Sequence, residues 1–154
     1  MASELLNGLS SAEAEQVLRL GTKIIVPAGT SLFQLGDTAD RLFLVERGRI
    51  KLTLPMRVQN RDQNVFVEER GPGQAVGWSA LIPPYRFTLT AMADLHDAEV
   101  ITLPREALLQ YFAANPAAGQ KIALNLAVII GHRLQLSQTM WLREMQRTVE
   151  VRSA

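Results

Sequence analysis

Between Lys23 and Pro55 the chain meets a glycine or proline turn every eight to ten residues, and that punctuation limits the fold more than any other feature. Lys23-Ile24-Ile25-Val26 runs into Pro27-Ala28-Gly29, and Ser31-Leu32-Phe33-Gln34-Leu35 stops at Gly36-Asp37. Leu42-Phe43-Leu44-Val45 ends at Arg47-Gly48, and Ile50-Lys51-Leu52-Thr53-Leu54 ends at Pro55. Short β-branched and aromatic runs bounded in this way predict an all-β sandwich or barrel rather than βαβ units. Arg57 to Asn64 is polar and reads as a hairpin tip, while Val65–Glu68, Phe87–Met92 and Ala98–Leu103 supply three more strands.

Helical segments flank this β region. Ser10 with Glu13 three residues later predicts a capping box, and Val17, Leu18 and Leu20 give the helix behind it an apolar side. Gly21 is placed to end it in a left-handed cap. Pro104 opens a second helix that reaches about Phe112, and Asn115-Pro116 interrupts it. From Pro116 or Ala117 to about Val149 nearly every residue is a good helix former, with a frayed tail from Thr148 to Ala154. Leu126, Ile130, Leu134, Trp141 and Met145 recur at helical spacing, with Ser137 in the seam. Thirty helical residues extend about 45 Å, further than so small a β region covers. The stripe therefore predicts a homodimer through this helix, with a helix folded back on its own domain as the alternative. The chain divides into a helical segment at residues 1–22, a β region at 23–103 and the C-terminal helices at 104–149.

Composition excludes several functional classes. A length of 154 residues fits one domain. Sixteen basic against fifteen acidic residues leave a net charge of +1, so no polyelectrolyte partner is implied. The absence of cysteine excludes disulfides, cysteine nucleophiles and thiolate metal sites. His96 and His132 are the only histidines and lack ligand spacing, and no Ser-His-Asp or paired-carboxylate arrangement stands out. Neither a metal site nor an enzyme is expected. The N-terminus lacks a basic start followed by an apolar run, and the apolar stretch 124–130 is too short to span a bilayer. The expectation is a cytoplasmic protein with no membrane segment.

One stretch invites a functional reading. Residues 73–91 read GQAVGWSALIPPYRFTLTA. Small residues let backbone approach a ligand, a short helical turn aims N–H groups at an anion, and an arginine supplies a positive fork. The alternative is that its glycines and prolines only shape a turn.

Taken together, these segments resemble the cyclic-nucleotide-binding domain family from about Leu9 to Leu142. Val26 to Lys51 follows that family's pattern at Gly29, Gly36, Asp37 and Gly48. The resemblance implies a mainly β fold with flanking helices. That fold is a double-stranded β-helix (jelly roll) with a short N-terminal helix and a long C-terminal dimerisation helix. It makes residues 73–91 the phosphate-binding cassette, which in the family reads G-E-x-[AS]-L followed by P-R-[AS]-A. Gly77, Ala80, Leu81 and Arg86 match; Trp78 stands at the glutamate, and Tyr85 and Phe87 flank the arginine. The implied ligand-binding set is Gly77, Trp78, Ser79, Ala80, Leu81, Arg86, Phe87 and Thr88. Ser137 and Gln138 join it, at the helix positions that touch the base in the family's activators. The implied ligand is a small anion, cyclic AMP or cyclic GMP, against which Trp78 counts because an indole only donates. Two functions remain open. One is a sensor module signalling through its long helix to an effector protein. The other is a ligand-free dimerisation or interaction domain whose pocket is filled by Trp78, Tyr85 and Phe87. No helix-turn-helix segment follows the long helix in this chain, so direct binding of nucleic acid is not expected.

Overall fold

The structure is a computed structural model and describes residues 3–153. Helix α1 (Ser11–Arg19) leads into strands β1 (Thr22–Val26), β2 (Ser31–Phe33), β3 (Arg41–Arg47), β4 (Ile50–Val58), β5 (Arg61–Arg70), β6 (Ala75–Val76), β7 (Thr90–Ala93) and β8 (Ala98–Pro104). A 3-10 turn at Trp78–Leu81 lies between β6 and β7, and helices α2 (Arg105–Ala114) and α3 (Pro116–Ser153) complete the chain. The strands form two antiparallel sheets, ordered β1-β8-β3-β6 and β2-β7-β4-β5. This is a β-roll with flanking helices.

The period-2 geometry of β3 divides its side chains between two cores. Phe43 and Val45 point into the roll with Phe33, Ile50, Leu52 and Val100, whereas Leu42 and Leu44 point outward beneath the helices. On β8, Ile101 and Leu103 join that outer core. The N-terminal segment contributes Leu5 and Leu6, α1 contributes Val17, and α2 contributes Leu108 and Tyr111. Ala118, Ile122, Leu126 and Ile129 seal the layer from α3, at steps of three or four that keep them on one helix face. Asn125 Nδ2 donates to the carbonyls of Leu5 and Asn7, each at 2.8 Å, and fastens the N-terminal segment to α3.

Ser10 and Glu13 form the expected capping box, each backbone amide meeting the other's side chain at 3.0 and 3.1 Å. Several boundaries differ from expectation for identifiable reasons. Gly21 is not a left-handed cap; a Cβ there would lie 2.5 Å from Ile101 and 2.7 Å from the Thr102 carbonyl, so its smallness admits β8. Pro55 does not end β4, because pairing with β7 stops at Thr53 and leaves Pro55 with β5 as its one neighbouring strand, opposite Asn64, so its missing N–H costs no bond on the β7 side. The hairpin tip is only Gln59-Asn60, both with positive φ (52° and 62°), as a tight two-residue turn demands. β7 starts at Thr90 rather than Phe87, whose amide and carbonyl bond the Gly36-Asp37 turn instead. α3 stays helical through Ser153 rather than fraying from Thr148.

The turn glycines do the work read from the pattern, and Gly48 shows it most sharply. Its φ is +80°, and a Cβ would stand 2.7 Å from the Asp97 carbonyl. Gly8 shares the backbone conformation (φ +86°) but has nothing within 4 Å. Gly8→Ala should cost only the left-handed penalty of about 1–2 kcal/mol. Gly48→Ala should add about 1–3 kcal/mol of overpacking. Urea unfolding midpoints of the two variants measure the difference.

Candidate functional site

The cassette is held by a glycine at its head and an arginine at its foot. Gly77 has φ +86°, and a Cβ would press on the rings of Phe87 at 3.1 Å and Phe43 at 3.2 Å. The 3-10 turn closes with the Ala80 amide donating to the Gly77 carbonyl at 3.1 Å. Arg105, the first residue of α2, donates through Nη1 to the carbonyls of Ala80 (3.1 Å) and Ala39 (2.6 Å). Its guanidinium lies 4.2 Å from the Tyr85 ring centre, a cation–π distance.

Residues 85–87 are strapped along the turn at residues 36–39. The Ala39 amide donates to Tyr85, Phe87 donates to Asp37, and Gly36 donates to Phe87, at 2.8–3.0 Å. This fixes where Arg86 goes: it is exposed, and its Nη1 donates to the Gly36 carbonyl at 3.0 Å. Phe87 goes inward. It stacks on Phe33 with centroids 3.7 Å apart and planes at 11°, and Phe33 stacks on Phe43 at 5.8 Å. The space these rings leave inside the roll, beside Gly77, Trp78 and Ser79, is about 20 Å³, room for about one water.

A larger cavity of about 490 Å³ opens between the roll and α3. Leu54 of β4 and Val67 of β5 form one wall, with Trp78, Thr88 and Leu89 from the cassette. Ile130, Arg133, Leu134, Ser137 and Met140 form the helical wall. Arg133 Nε donates to Glu68 at 2.7 Å, and Glu68 accepts from Arg70 Nη1 at 2.9 Å. Arg70 also meets Glu4 and donates to the Ala75 carbonyl, while Glu4 accepts from the Ala75 amide. A continuous chain of alternating charges thus links α3, β5 and the N-terminal segment. Only 12% of the Arg133 side chain and 7% of the Arg70 side chain are exposed.

The structure brings Trp78, Thr88 and Ser137 of the expected ligand set to this one cavity. Gly77, Ser79 and Phe87 line only the small remnant. Ala80 is buried, Leu81 packs toward the helices, and neither Gln138 nor Arg86 lines the cavity. The expected dimer positions also separate. Leu126 is buried within the chain's own core, where α3 starts on the roll, so it is not on a dimer seam. Ile130 and Leu134 reach the cavity, while Trp141 and Met145 are exposed at 63% and 45%. From sequence Glu68 reads as a solvated surface carboxylate and Arg133 has no role, whereas the two pair at the cavity. The one available signal was that Arg133 stands one helical turn before Ser137 and so shares its face.

The groups whose titration the fold shifts do not line this cavity. The Ser10 amide holds Glu13 below the usual carboxylate range, Lys23 does the same to Glu46, and burial raises Tyr111. Among the described residues no group of three or more histidine, aspartate and glutamate side chains is placed to hold a metal ion. No helix among them is long and apolar enough to cross a membrane.

Residues 23–115 match the family described as the cyclic nucleotide-binding domain. The chain is 29% identical over 133 residues to the cyclic AMP receptor protein of Thermus thermophilus, covering 86% of this chain and 58% of that protein. It therefore spans little more than half the length of that relative. The crystal structure of the Thermus thermophilus catabolite activator protein superposes with a TM-score of 0.76 at 27% identity, over 94% of this chain and 63% of that one. A cyclic nucleotide-binding domain from Methylobacillus flagellatus gives a TM-score of 0.79 at 22% identity, over 92% and 80% of the two chains, and shares the fold.

Phe87 carries core packing and Arg86 carries one surface hydrogen bond. Phe87→Ala should lower stability by about 3–5 kcal/mol. Arg86→Ala should cost about 1 kcal/mol or less. Denaturant unfolding of both variants checks the contrast, and equal losses would contradict it.

Proposed function

The chain belongs to the cyclic nucleotide-binding domain family, and on that premise we propose that it is a cytoplasmic regulatory sensor module. Its ligand is a small molecule held between the roll and α3, and its output leaves through α3. The observation that carries this reading is the 490 Å³ cavity, whose walls come half from the roll and half from the helix. A ligand there touches both bodies, so it binds one helix position better than another, which is what a population shift requires. The reading assigns the module no catalytic step; recognition and transmission are its whole chemistry.

Cyclic AMP and cyclic GMP are the ligands that family membership favours. The chain's own residues give them few partners: Trp78 offers no acceptor to a ribose hydroxyl, and Arg86 is turned to the Gly36 carbonyl. The Phe33–Phe87 stack supports a second reading, a ligand-free dimerisation or interaction domain in which aromatic rings replace the ligand.

The helix supports a homodimer under either reading. Beyond the cavity, Trp141 and Met145 continue the apolar stripe into solvent from Leu134, which is itself 57% exposed. A second copy's α3 covers such a stripe most simply, as in a coiled coil.

Two measurements test these proposals. A thermal-shift screen that includes cyclic AMP and cyclic GMP should find a ligand that raises Tm. At a hundredfold excess over Kd the linkage is about 2.7 kcal/mol. At ~2–4 °C per kcal/mol for a chain of this size, that is a rise of roughly 5–11 °C. The same ligand should alter amide exchange along residues 130–140; a binder that leaves α3 untouched overturns the sensor reading. For the dimer, Trp141→Glu should convert a dimeric mass to a monomeric one in sedimentation at micromolar concentration. A monomeric mass for the unaltered chain refutes the dimer.

A further inference from the structure

From the composition of the cavity walls we infer that the ligand is an uncharged, largely apolar molecule, an aromatic or alkyl compound with one or two hydrogen-bonding groups, and not a nucleotide. The inference rests on the cavity being the sensor's ligand site. Its volume of about 490 Å³ falls within the range that encloses a small organic molecule. Both walls are largely apolar: Leu54, Val67 and Leu89 on the roll side face Ile130, Leu134 and Met140 on α3. A phosphate carried into such walls loses its hydration and gains little in return.

The one charged side chain on the lining does not change this. Arg133 is nearly enclosed and already bonded to Glu68 at 2.7 Å, and Glu68 is shared with Arg70 at 2.9 Å. An anionic ligand meets in Arg133 only the Nη donors of a guanidinium whose charge Glu68 already balances, in a neutral chain of charges that runs on to Glu4, so it gains little net attraction there. A neutral ligand leaves that chain intact. Arg86 offers no substitute, because it lies outside the lining and donates to the Gly36 carbonyl. The polar depth that a sugar phosphate requires inside the roll is reduced to about 20 Å³ by the Phe33–Phe87 stack and Trp78. Two hydroxyls remain, Thr88 on the roll wall and Ser137 on the helical wall. A ligand with a carbonyl or hydroxyl group at each end bonds both and ties the helix to the roll.

A matched pair of fluorescent probes tests the class of ligand. N-phenyl-1-naphthylamine is uncharged, and 1-anilinonaphthalene-8-sulfonate is the same apolar body with a sulfonate. The full chain should bind the uncharged probe saturably and at least tenfold more tightly than the sulfonate, and 1 mM cyclic AMP should not displace it. Ser137→Trp and Thr88→Trp should each weaken that binding at least tenfold. Both positions are solvent-exposed, so a larger side chain fills the cavity without entering the core. Tighter binding of the sulfonate, or displacement by cyclic AMP, overturns the ligand class and leaves the cavity standing as the sensor site. Binding that neither tryptophan variant weakens, or no saturable binding of any of the three molecules, overturns the sensor reading and this inference together. Binding seen only in the Trp141→Glu variant assigns the cavity to a second copy of the chain and also overturns it.

Discussion

The rest of the molecule depends on β3 and β8 being buried on both faces. Phe43, Val45 and Val100 fill the roll, while Leu42, Leu44, Ile101 and Leu103 need a cover on the other side. An antiparallel sheet in a small protein commonly leaves one face to water. Here that face is apolar, and the N-terminal segment, α1, α2 and the first turns of α3 are drawn onto it. The position of α3 follows from this burial. Its first apolar face is spent on the roll, the turns from Ile130 to Met140 form the helical wall of the cavity, and only beyond them does it project past the domain.

The charge chain from Glu4 to Arg133 adds specificity to that apolar contact. Hydrophobic packing alone tolerates sliding, but Arg70 is almost enclosed and keeps three polar partners, two close by at Glu68 and Ala75 and one from the N-terminal segment at Glu4. Displacing either Glu4 or Glu68 leaves a cation in a low-dielectric setting, which is costly. Register among the N-terminal segment, β5 and α3 is therefore set by electrostatics on top of shape.

Much of this fold was legible because turn chemistry and alternation are local. The glycines at 29, 36 and 48 all adopt positive φ, and the capping box at Ser10 and Glu13 forms as read. What could not be read was set by contacts distant in sequence. Gly21 is small because β8 lies against it, and Pro55 sits within a strand because β7 ends its pairing two residues earlier. The candidate site shows the same division. Trp78, Thr88 and Ser137 of the expected set meet at one cavity, where the cassette faces α3. Arg86 does not converge with them: a motif fixes a residue's place in the chain, while neighbouring turns decide where its side chain points. The pairing of Arg133 with Glu68 joins residues 65 apart and left no periodic trace.

The length of α3 beyond its anchor has a mechanical consequence. Some thirteen residues follow Met140, the last to line the cavity, an arm of about 20 Å at ~1.5 Å per residue. A tilt of a few degrees at the cavity becomes a displacement of about 1–2 Å at the far end of such an arm. Under the proposed sensor reading, such an arm carries a change at the cavity outward with no hinge or unfolding step.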